Sequence, residues 1–207
     1  MEYIVAIAVL LFSVIVHEVA HGFVAYKRGD STAKLLGRLT LNPIPHIDII
    51  GSIILPAFLI YMQFPAFGWA KPVPINMYNL KNPKKDMIYV SLAGVTANFL
   101  LALIASILML FIRPFLGSVA SLSSIYFILR MFLNINIVLF VFNLIPIPPL
   151  DGSRVVLFLL PRNLAQKYAK LERYGFLILI VLLMTNILGK IIGPIAIFLI
   201  TLLGGPI

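Results

Sequence analysis

Long apolar runs separated by short polar stretches make up most of the chain. Three runs are long enough to cross a membrane as helices, because a span needs about 20 residues; they are 3–26, 87–112 and roughly 121–145. A fourth run, 175–203, is interrupted at Gly189–Lys190 and Gly193–Pro194, which predicts one span plus a bent or partial segment. The pattern predicts an all-α polytopic membrane protein, a helical bundle of about five to six hydrophobic segments.

The apolar run 49–62 is shorter than these and contains Gly51 and Pro56. The stretches on either side of it, 27–46 and 71–86, each carry four basic residues and one acidic residue. Loops rich in lysine and arginine favour the cytoplasmic side, so a full span between them would place one of them on the opposite side. We therefore expect 49–62 to form a re-entrant or shallow helical hairpin, with both basic stretches in the cytoplasm.

Two stretches near this run have a different composition. Residues 35–45 and 64–76 are rich in proline, glycine and β-forming residues, which is typical of short strands or extended loops. The sequence therefore predicts a short re-entrant or β-hairpin region between the first and the central span.

Composition narrows the class of protein. Of the 207 residues, 61% are hydrophobic and only 11% are charged, so the chain lacks the charged surface of a soluble domain. The net charge of +9 is explained by cytoplasmic basic loops and anionic lipid headgroups, and we expect no nucleic-acid partner. The chain has no cysteine, so any metal would be held by imidazole and carboxylate groups.

The charges around the first apolar run predict its orientation. No basic region precedes it, and Lys27 and Arg28 follow it, so we expect an uncleaved span with the N-terminus outside. The residues His17 and His21 then lie in the cytoplasmic third of this helix.

His17, Glu18 and His21 fit the pattern H-E-x-x-H inside this span. On a helix, positions i and i+4 share a face, so two imidazoles can bind one zinc ion and the adjacent glutamate can activate water as a general base. A pair of structural histidines, hydrogen-bonded inside the bundle, is the alternative. Because ionisable groups in a membrane are costly, the pattern favours a functional metal site.

Spacing alone does not decide the third ligand. A catalytic zinc ion usually has three protein ligands and one open position. Asp48 and Asp151 are the acids that lie outside helix flanks and basic stretches, and Asp151 is equally well placed to be the N-cap of a helix at 153–160. His46 is the remaining histidine, and nothing in its spacing obliges it to contact a metal.

The motif "HEVAHG", taken with "NLIPIPPLDG" (143–152), resembles the site-2 protease family of intramembrane zinc metalloproteases. The stretches "GRLTLNPIPHID", "GWAKPVPIN" and "SLAGVTANFLLA" are similar to those of its small prokaryotic members, and the likeness covers roughly residues 5–160. The resemblance implies a single integral-membrane metalloprotease domain over 1–207, with a catalytic core at about 1–160 and C-terminal membrane segments at about 161–207.

The resemblance also implies roles for particular residues. His17, His21 and Asp151 would ligate one Zn²⁺ ion per chain, and Glu18 would activate the attacking water. Asn143, which opens the second motif, would assist substrate binding or stabilise the oxyanion.

Further candidates for substrate or oxyanion binding come from the other similar stretches. Asn98 matches the asparagine of the family's central helix, and its alternative role is hydrogen bonding between helices. Gly68, Trp69 and Ala70 belong to the stretch that resembles the family's membrane-associated β-hairpin, thought to hold an unwound substrate as an added strand.

The function implied is hydrolysis of peptide bonds within or near transmembrane segments of membrane-protein substrates, in regulated intramembrane proteolysis. The implied partners are those substrates and the lipid bilayer, and a homo-oligomer is left open. The protein would be a multi-pass protein of a prokaryotic cell membrane, with its active site nearer the cytoplasm.

The residues leave two alternatives: an ion or proton relay through His17, Glu18 and Asp151, and a zinc-binding scaffold without catalysis.

Overall fold

Helices account for most of the structure. The computed structural model describes residues 2–63, 68–117 and 120–205. The α-helices within these residues are α1 (Glu2–Lys27), α2 (Thr32–Leu35), α3 (Leu55–Tyr61), α4 (Pro83–Ile112), α5 (Ala120–Leu144), α6 (Asp151–Leu159), α7 (Arg162–Ala169), α8 (Glu172–Met184) and α9 (Ile187–Leu202). No β-strand occurs in the described residues, which confirms the all-α class.

Three helices, α1, α4 and α5, are each long and apolar enough to cross a membrane. The central helix α4 packs against both of the others. Where α4 meets α5, Ala102 and Ala105 pack against Leu133 and Ile137, because small side chains let helix backbones approach closely in a membrane. The three helices correspond to the three predicted spans, whereas the total of five to six segments is not confirmed.

The C-terminal apolar run forms α8 and α9, which meet at an angle of 76° and count as a fourth span only if taken together. The predicted interruption is present, but its predicted position is wrong. The chain bends at Thr185–Asn186, while Gly189–Lys190 and Gly193–Pro194 lie within α9. Asn186 has a φ of 56°, a left-handed conformation that asparagine adopts more readily than most residues. Glycine and proline, by contrast, are tolerated within membrane helices.

The short apolar run forms a π-helical turn, Ile49–Ile54, that continues into α3. At 1.5 Å per residue this element is about 20 Å long, which is too short to cross a hydrocarbon core of about 30 Å. Its length therefore agrees with the expectation that this run does not span the membrane. A second arm of a helical hairpin is not observed, and residues 64–67, where its turn would fall, lie outside the described residues.

Residues 68–76, hereafter the 68–76 segment, form neither a helix nor a paired strand, and the backbone is extended at Asn76. The predicted β-hairpin is not confirmed, because the segment bonds to loops and side chains instead of to a parallel or antiparallel neighbour. The N–H of Lys71 donates to the carbonyl of His46 over 2.9 Å. The guanidinium of Arg38 donates to the carbonyls of Lys71 and Pro72 over 2.7 and 3.3 Å.

The far end of the 68–76 segment is held by Asp30, whose side chain is fully buried. Its carboxylate accepts hydrogen bonds from the backbone N–H of Asn76 (2.7 Å), the side-chain amide of Asn79 (3.0 Å) and the backbone N–H of Thr32 (3.0 Å). Burial raises the pKa of Asp30, but a further hydrogen bond from the hydroxyl of Thr32 together with these three outweighs it and leaves the pKa below its ordinary value. Asp30 therefore ties the segment to the loop that follows α1.

Candidate metal centre

Two histidines of α1 and one aspartate of α6 converge on a single point. The Nε2 atoms of His17 and His21, one helical turn apart, are separated by 3.0 Å. Asp151 places its Oδ2 atom 3.0 Å from Nε2 of His17 and 3.2 Å from Nε2 of His21. All three side chains are buried. They form the one group of potential metal ligands found among the described residues.

Hydrogen bonds behind the rings set the protonation of both histidines. The Nδ1 atom of His17 lies 2.6 Å from the side-chain oxygen of Asn98, and that of His21 lies 2.6 Å from the carbonyl of Val90. Both oxygens only accept hydrogen bonds, so each Nδ1 carries the proton and each Nε2 presents a lone pair. Oδ2 of Asp151 is also buried, and no hydrogen-bond donor points at it. Three lone pairs thus face one another.

This arrangement fits a metal ion. Ligand atoms around a tetrahedral ion with bonds of about 2.0–2.1 Å lie about 3.3 Å apart, close to the separations observed here. Buried lone pairs at such distances repel one another unless a cation lies between them. Two imidazoles and one carboxylate suit zinc, and they leave a fourth position open for water or substrate.

The structure rejects the alternative role of Asp151 as a helix N-cap. Helix α6 begins at Asp151 itself, and its N-cap position is Leu150, with no side-chain cap. The carboxylate points instead at the histidines, although its place in the first turn is still favourable to a negative charge. Gly152 allows this placement, because a Cβ there would collide with the carbonyl of Leu144 at the end of α5.

Glu18 lies beside the histidines on the wall of an open cavity of about 750 Å³. Its Oε2 atom accepts a hydrogen bond of 2.8 Å from the backbone N–H of Val73. The metal-binding candidates, Glu18 and part of the 68–76 segment therefore surround one cavity. The site predicted on α1 thus has both a neighbouring carboxylate and room for a ligand.

Gly94 of α4 is packed directly against the two histidines. A Cβ atom at this position would lie 2.5 Å from Nε2 of His21 and 2.6 Å from Nε2 of His17. Such distances are well inside van der Waals contact. The absence of a side chain at Gly94 is therefore required for α4 to approach the metal centre.

The remaining predicted site residues are divided between the cavity and its surroundings. Trp69, Ala70 and Asn143 line the cavity. Gly68 instead packs against the backbone of Gly51, because its missing side chain allows close contact there. Asn98 is fully buried behind His17, so its position supports a structural role beside the metal more than contact with substrate.

His46 and Asp48 lie away from this centre. The Nε2 atom of His46 is hydrogen-bonded to the carbonyl of Thr40 over 2.9 Å. Asp48 caps the π-helical turn, accepting a hydrogen bond of 2.7 Å from the N–H of Gly51. Both residues shape the loop that supports the 68–76 segment.

Several residues of this region were not singled out from the sequence. Ser13 and Asn136 are fully buried; Asn136 accepts a hydrogen bond from the asparagine behind His17 and donates one to the hydroxyl of Ser13. Arg38 and Asp30 fix the 68–76 segment. The sequence offers one signal for Asn136: it lies within an apolar span, and an asparagine in a membrane is rarely left without a partner.

Comparison with known proteins identifies the family. A model of peptidase family M50 matches residues 112–185. A Bacillus subtilis (strain 168) protein named "Putative zinc metalloprotease YwhC" is 38% identical over 94% of this chain and 85% of its own length. A Mycolicibacterium smegmatis protein named "Putative zinc metalloprotease Rip2" is 33% identical over 91% of this chain and 70% of its own.

A Mycobacterium tuberculosis (strain H37Rv) protein, also named "Putative zinc metalloprotease Rip2", is 27% identical over 90% of this chain and 69% of its own. No solved structure gives a significant match. The chain belongs to peptidase family M50, the family of site-2 proteases, as its two motifs predicted.

Proposed function

We propose that the protein is an intramembrane zinc metalloprotease that hydrolyses peptide bonds within or near transmembrane segments of other membrane proteins. One observation carries the proposal: the lone pairs of His17, His21 and Asp151 converge beside Glu18 in a cavity bordered by membrane-spanning helices. The names of the relatives as zinc metalloproteases support zinc as the cofactor, and the one ligand group found within the described part of the chain supports one ion per chain.

The protein's own groups would divide the chemistry between them. Zinc bound by His17, His21 and Asp151 would supply a Lewis acid for the scissile carbonyl and the attacking water. Glu18 would take the proton from that water and later hand it to the leaving amine. Its Oε2 atom is held by the N–H of Val73, so its other oxygen is the one available for the proton.

Substrate would lie between the metal centre and the 68–76 segment. A peptide bond inside a helix is shielded, so a substrate helix must unwind before cleavage, and its exposed backbone groups then need partners. A segment without helical structure that already lines the cavity can provide them by β-augmentation. The side-chain amide of Asn143, which also lines the cavity, donates to the carbonyl of Leu139 over 3.0 Å, and its second N–H would donate to a substrate carbonyl.

The proposed setting is a prokaryotic cell membrane, with the active site nearer the cytoplasm and the N-terminus outside. Helix α1 ends at Lys27, with Arg28 directly after it, which favours a cytoplasmic location for this end. The histidines lie within the last three turns of the same helix. Single-span regulators or signal-peptide remnants are the proposed substrates, in regulated intramembrane proteolysis, and the lipid bilayer is the medium in which they meet the enzyme.

The test uses purified full-length protein and a panel of model transmembrane substrates, with and without a zinc chelator. We expect cleavage that the chelator abolishes, and zinc that is lost in Asp151→Asn. Glu18→Gln should keep zinc and lose cleavage, while Glu2→Gln, a matched change in the first turn of α1, should leave both unchanged. Cleavage that persists in Glu18→Gln would contradict the mechanism. Ion flux through liposomes without bound zinc would support the relay alternative, and zinc without cleavage the scaffold.

A further inference from the structure

A continuous chain of buried polar side chains runs from the metal centre into the middle of the helix bundle. The side chains of Ser13, Asn98 and Asn136 come from α1, α4 and α5, and each residue is 0% exposed. Nδ1 of His17 is 2.6 Å from Oδ1 of Asn98, and Nδ2 of Asn98 is 2.9 Å from Oδ1 of Asn136. Polar groups at this depth are expensive unless every one is paired.

The direction of each hydrogen bond in this chain is set at its far end. Nδ2 of Asn136 lies 2.9 Å from the carbonyl of Phe132 and 2.8 Å from Oγ of Ser13. The carbonyl only accepts hydrogen bonds, so the amide of Asn136 must turn its NH₂ group toward it. Oδ1 of Asn136 then faces Asn98 and can only accept. Asn98 must therefore donate to Asn136 over 2.9 Å and turn its own oxygen toward His17; a longer contact of 3.4 Å joins the same NH₂ group to the backbone carbonyl of Ser13.

The same argument determines which nitrogen of His17 carries the proton. Because Oδ1 of Asn98 only accepts, His17 must carry its proton on Nδ1, which leaves the Nε2 lone pair facing His21 and Asp151. His21 differs, since its Nδ1 bonds directly to the backbone carbonyl of Val90 and depends on no side chain. The two histidines of one motif are thus oriented by different means.

We propose that Asn136 is a positioning residue for the metal centre, which through the amide of Asn98 fixes the tautomer and the ring orientation of His17. The inference rests on the proposed function in taking His17 as a zinc ligand. Partners that orient a metal-bound histidine typically change metal affinity by about 10–100-fold when removed. Asn136 lies one residue farther from the metal centre than Asn98. It is needed because the amide of Asn98, unlike a carboxylate, has a donor end and an acceptor end and must be turned the right way.

The first experiment compares two asparagine-to-leucine changes on α5 in the purified, zinc-loaded full-length protein. Asn136→Leu should weaken zinc binding by about tenfold or more, measured by competition with a chelator. Asn134→Leu is the matched control, because Asn134 lies two residues away on the same helix and its side-chain oxygen has no partner. It should leave zinc affinity unchanged. An unchanged affinity in Asn136→Leu would overturn the proposal.

A second variant separates orientation from simple loss of packing. Asn98→Asp places a carboxylate behind His17, and both of its oxygens accept, so no partner is needed to turn it. The double variant Asn136→Leu with Asn98→Asp should therefore recover most of the zinc affinity that Asn136→Leu loses. A double variant as weak as Asn136→Leu would mean that Asn136 only supports the bundle, and would overturn the proposal.

Nitrogen NMR of ¹⁵N-labelled histidine gives a readout independent of zinc. The chain has three histidines, so the signals of His17, His21 and His46 can be assigned by substitution. Asn136→Leu should change the Nδ1 signal of His17 and leave those of the other two in place; an unchanged His17 signal would overturn the proposal. If the unmodified protein binds no zinc, the proposed function fails, and this measurement still decides the role of Asn136.

Discussion

The carboxylate of Glu18 accepts a hydrogen bond of 2.8 Å from the backbone N–H of Val73. This contact joins the proposed general base to the 68–76 segment, which lines the same cavity. Movement of Val73 must therefore move Glu18 or release it. The residues that hold the 68–76 segment in place become part of the chemistry without touching the metal.

Arg38 is the first of these residues, since it donates to the carbonyls of Lys71 and Pro72, just before Val73. Arg38→Met keeps the length of the side chain and removes both hydrogen bonds. We expect kcat to fall by about tenfold or more, because small displacements of a catalytic group are costly, while zinc content stays the same. Steady-state cleavage of a model substrate and metal analysis measure the two quantities.

The matched control for this prediction is Arg113→Met, which changes an exposed arginine at the end of α4. It should leave kcat unchanged. Loss of zinc in Arg38→Met would show that Arg38 supports the metal centre itself, contrary to the prediction.

Gly94 makes the metal centre sensitive to a single methyl group. In Gly94→Ala the new Cβ would lie 2.5 Å from Nε2 of His21, so the ring or the helix must move by about 1 Å. We expect about 100-fold slower cleavage together with weaker zinc binding. Gly193→Ala is the control, because nothing lies within 4 Å of a Cβ at that position of α9. Normal zinc affinity in Gly94→Ala would contradict the observed packing.

Asp30 supplies a prediction about pH. Its pKa is below the ordinary value of about 4, so its contribution to stability is fully present above pH 4 and is lost only as the pH falls through the lower folded value. Anchoring of the 68–76 segment should therefore not change between pH 5 and 8. Hydrogen exchange at Asn76, corrected for intrinsic rates, should be equally slow across this range.

Asp30→Asn should remove this anchoring, because an amide has a single accepting oxygen and cannot accept from all four donors that face the carboxylate. Exchange at Asn76 should then be faster at every pH. Glu2→Gln, which changes an exposed acid in the first turn of α1, serves as the control and should leave exchange at Asn76 unchanged. A steep dependence of the unmodified protein on pH within this range would show that another group controls the segment.

The proposed orientation can be tested with cysteines, because the native chain has none. Single cysteines at Lys34 and Lys81 should react with an impermeant thiol reagent from the cytoplasmic side, and one at Gly117 from the outside. The expectation follows from the basic stretches and from an intervening helix that is too short to span. Labelling of the Lys81 position from outside only would make 49–62 a true span.

The sequence predicted the three candidate metal ligands that the structure brings together, but not the residues behind them. His17, Glu18 and His21 form a local motif, so their relation follows from helix geometry alone. Asp151 required the resemblance, because spacing left it open as a helix cap. Asn136 and Gly94 contact residues of another helix, α1. No local sequence pattern predicts which face of α4 or α5 meets α1.

The region at 64–76 shows a different limit of sequence reasoning. Proline, glycine and β-forming residues in 64–76 favoured strands, and the part that the structure describes is not helical but forms no paired strand. Whether extended residues pair into a hairpin depends on which partners lie within reach. Here the carboxylate of Asp30 and the carbonyl of His46 accept hydrogen bonds from the segment, and Arg38 donates to its carbonyls. These groups occupy the positions that a second strand would otherwise fill.

The bend between α8 and α9 has a consequence for the lipid environment. Two halves set at 76° cannot both follow the bilayer normal, so at least one lies oblique to it. The tilt of such a helix responds to the thickness of the hydrocarbon layer. The ring of Phe176 on α8 meets Trp69 edge to face, with centroids 5.2 Å apart. A change in the tilt of α8 would be passed through this contact to Trp69, which lines the cavity, and under the proposed function the rate of cleavage should then depend on the acyl-chain length of the lipid.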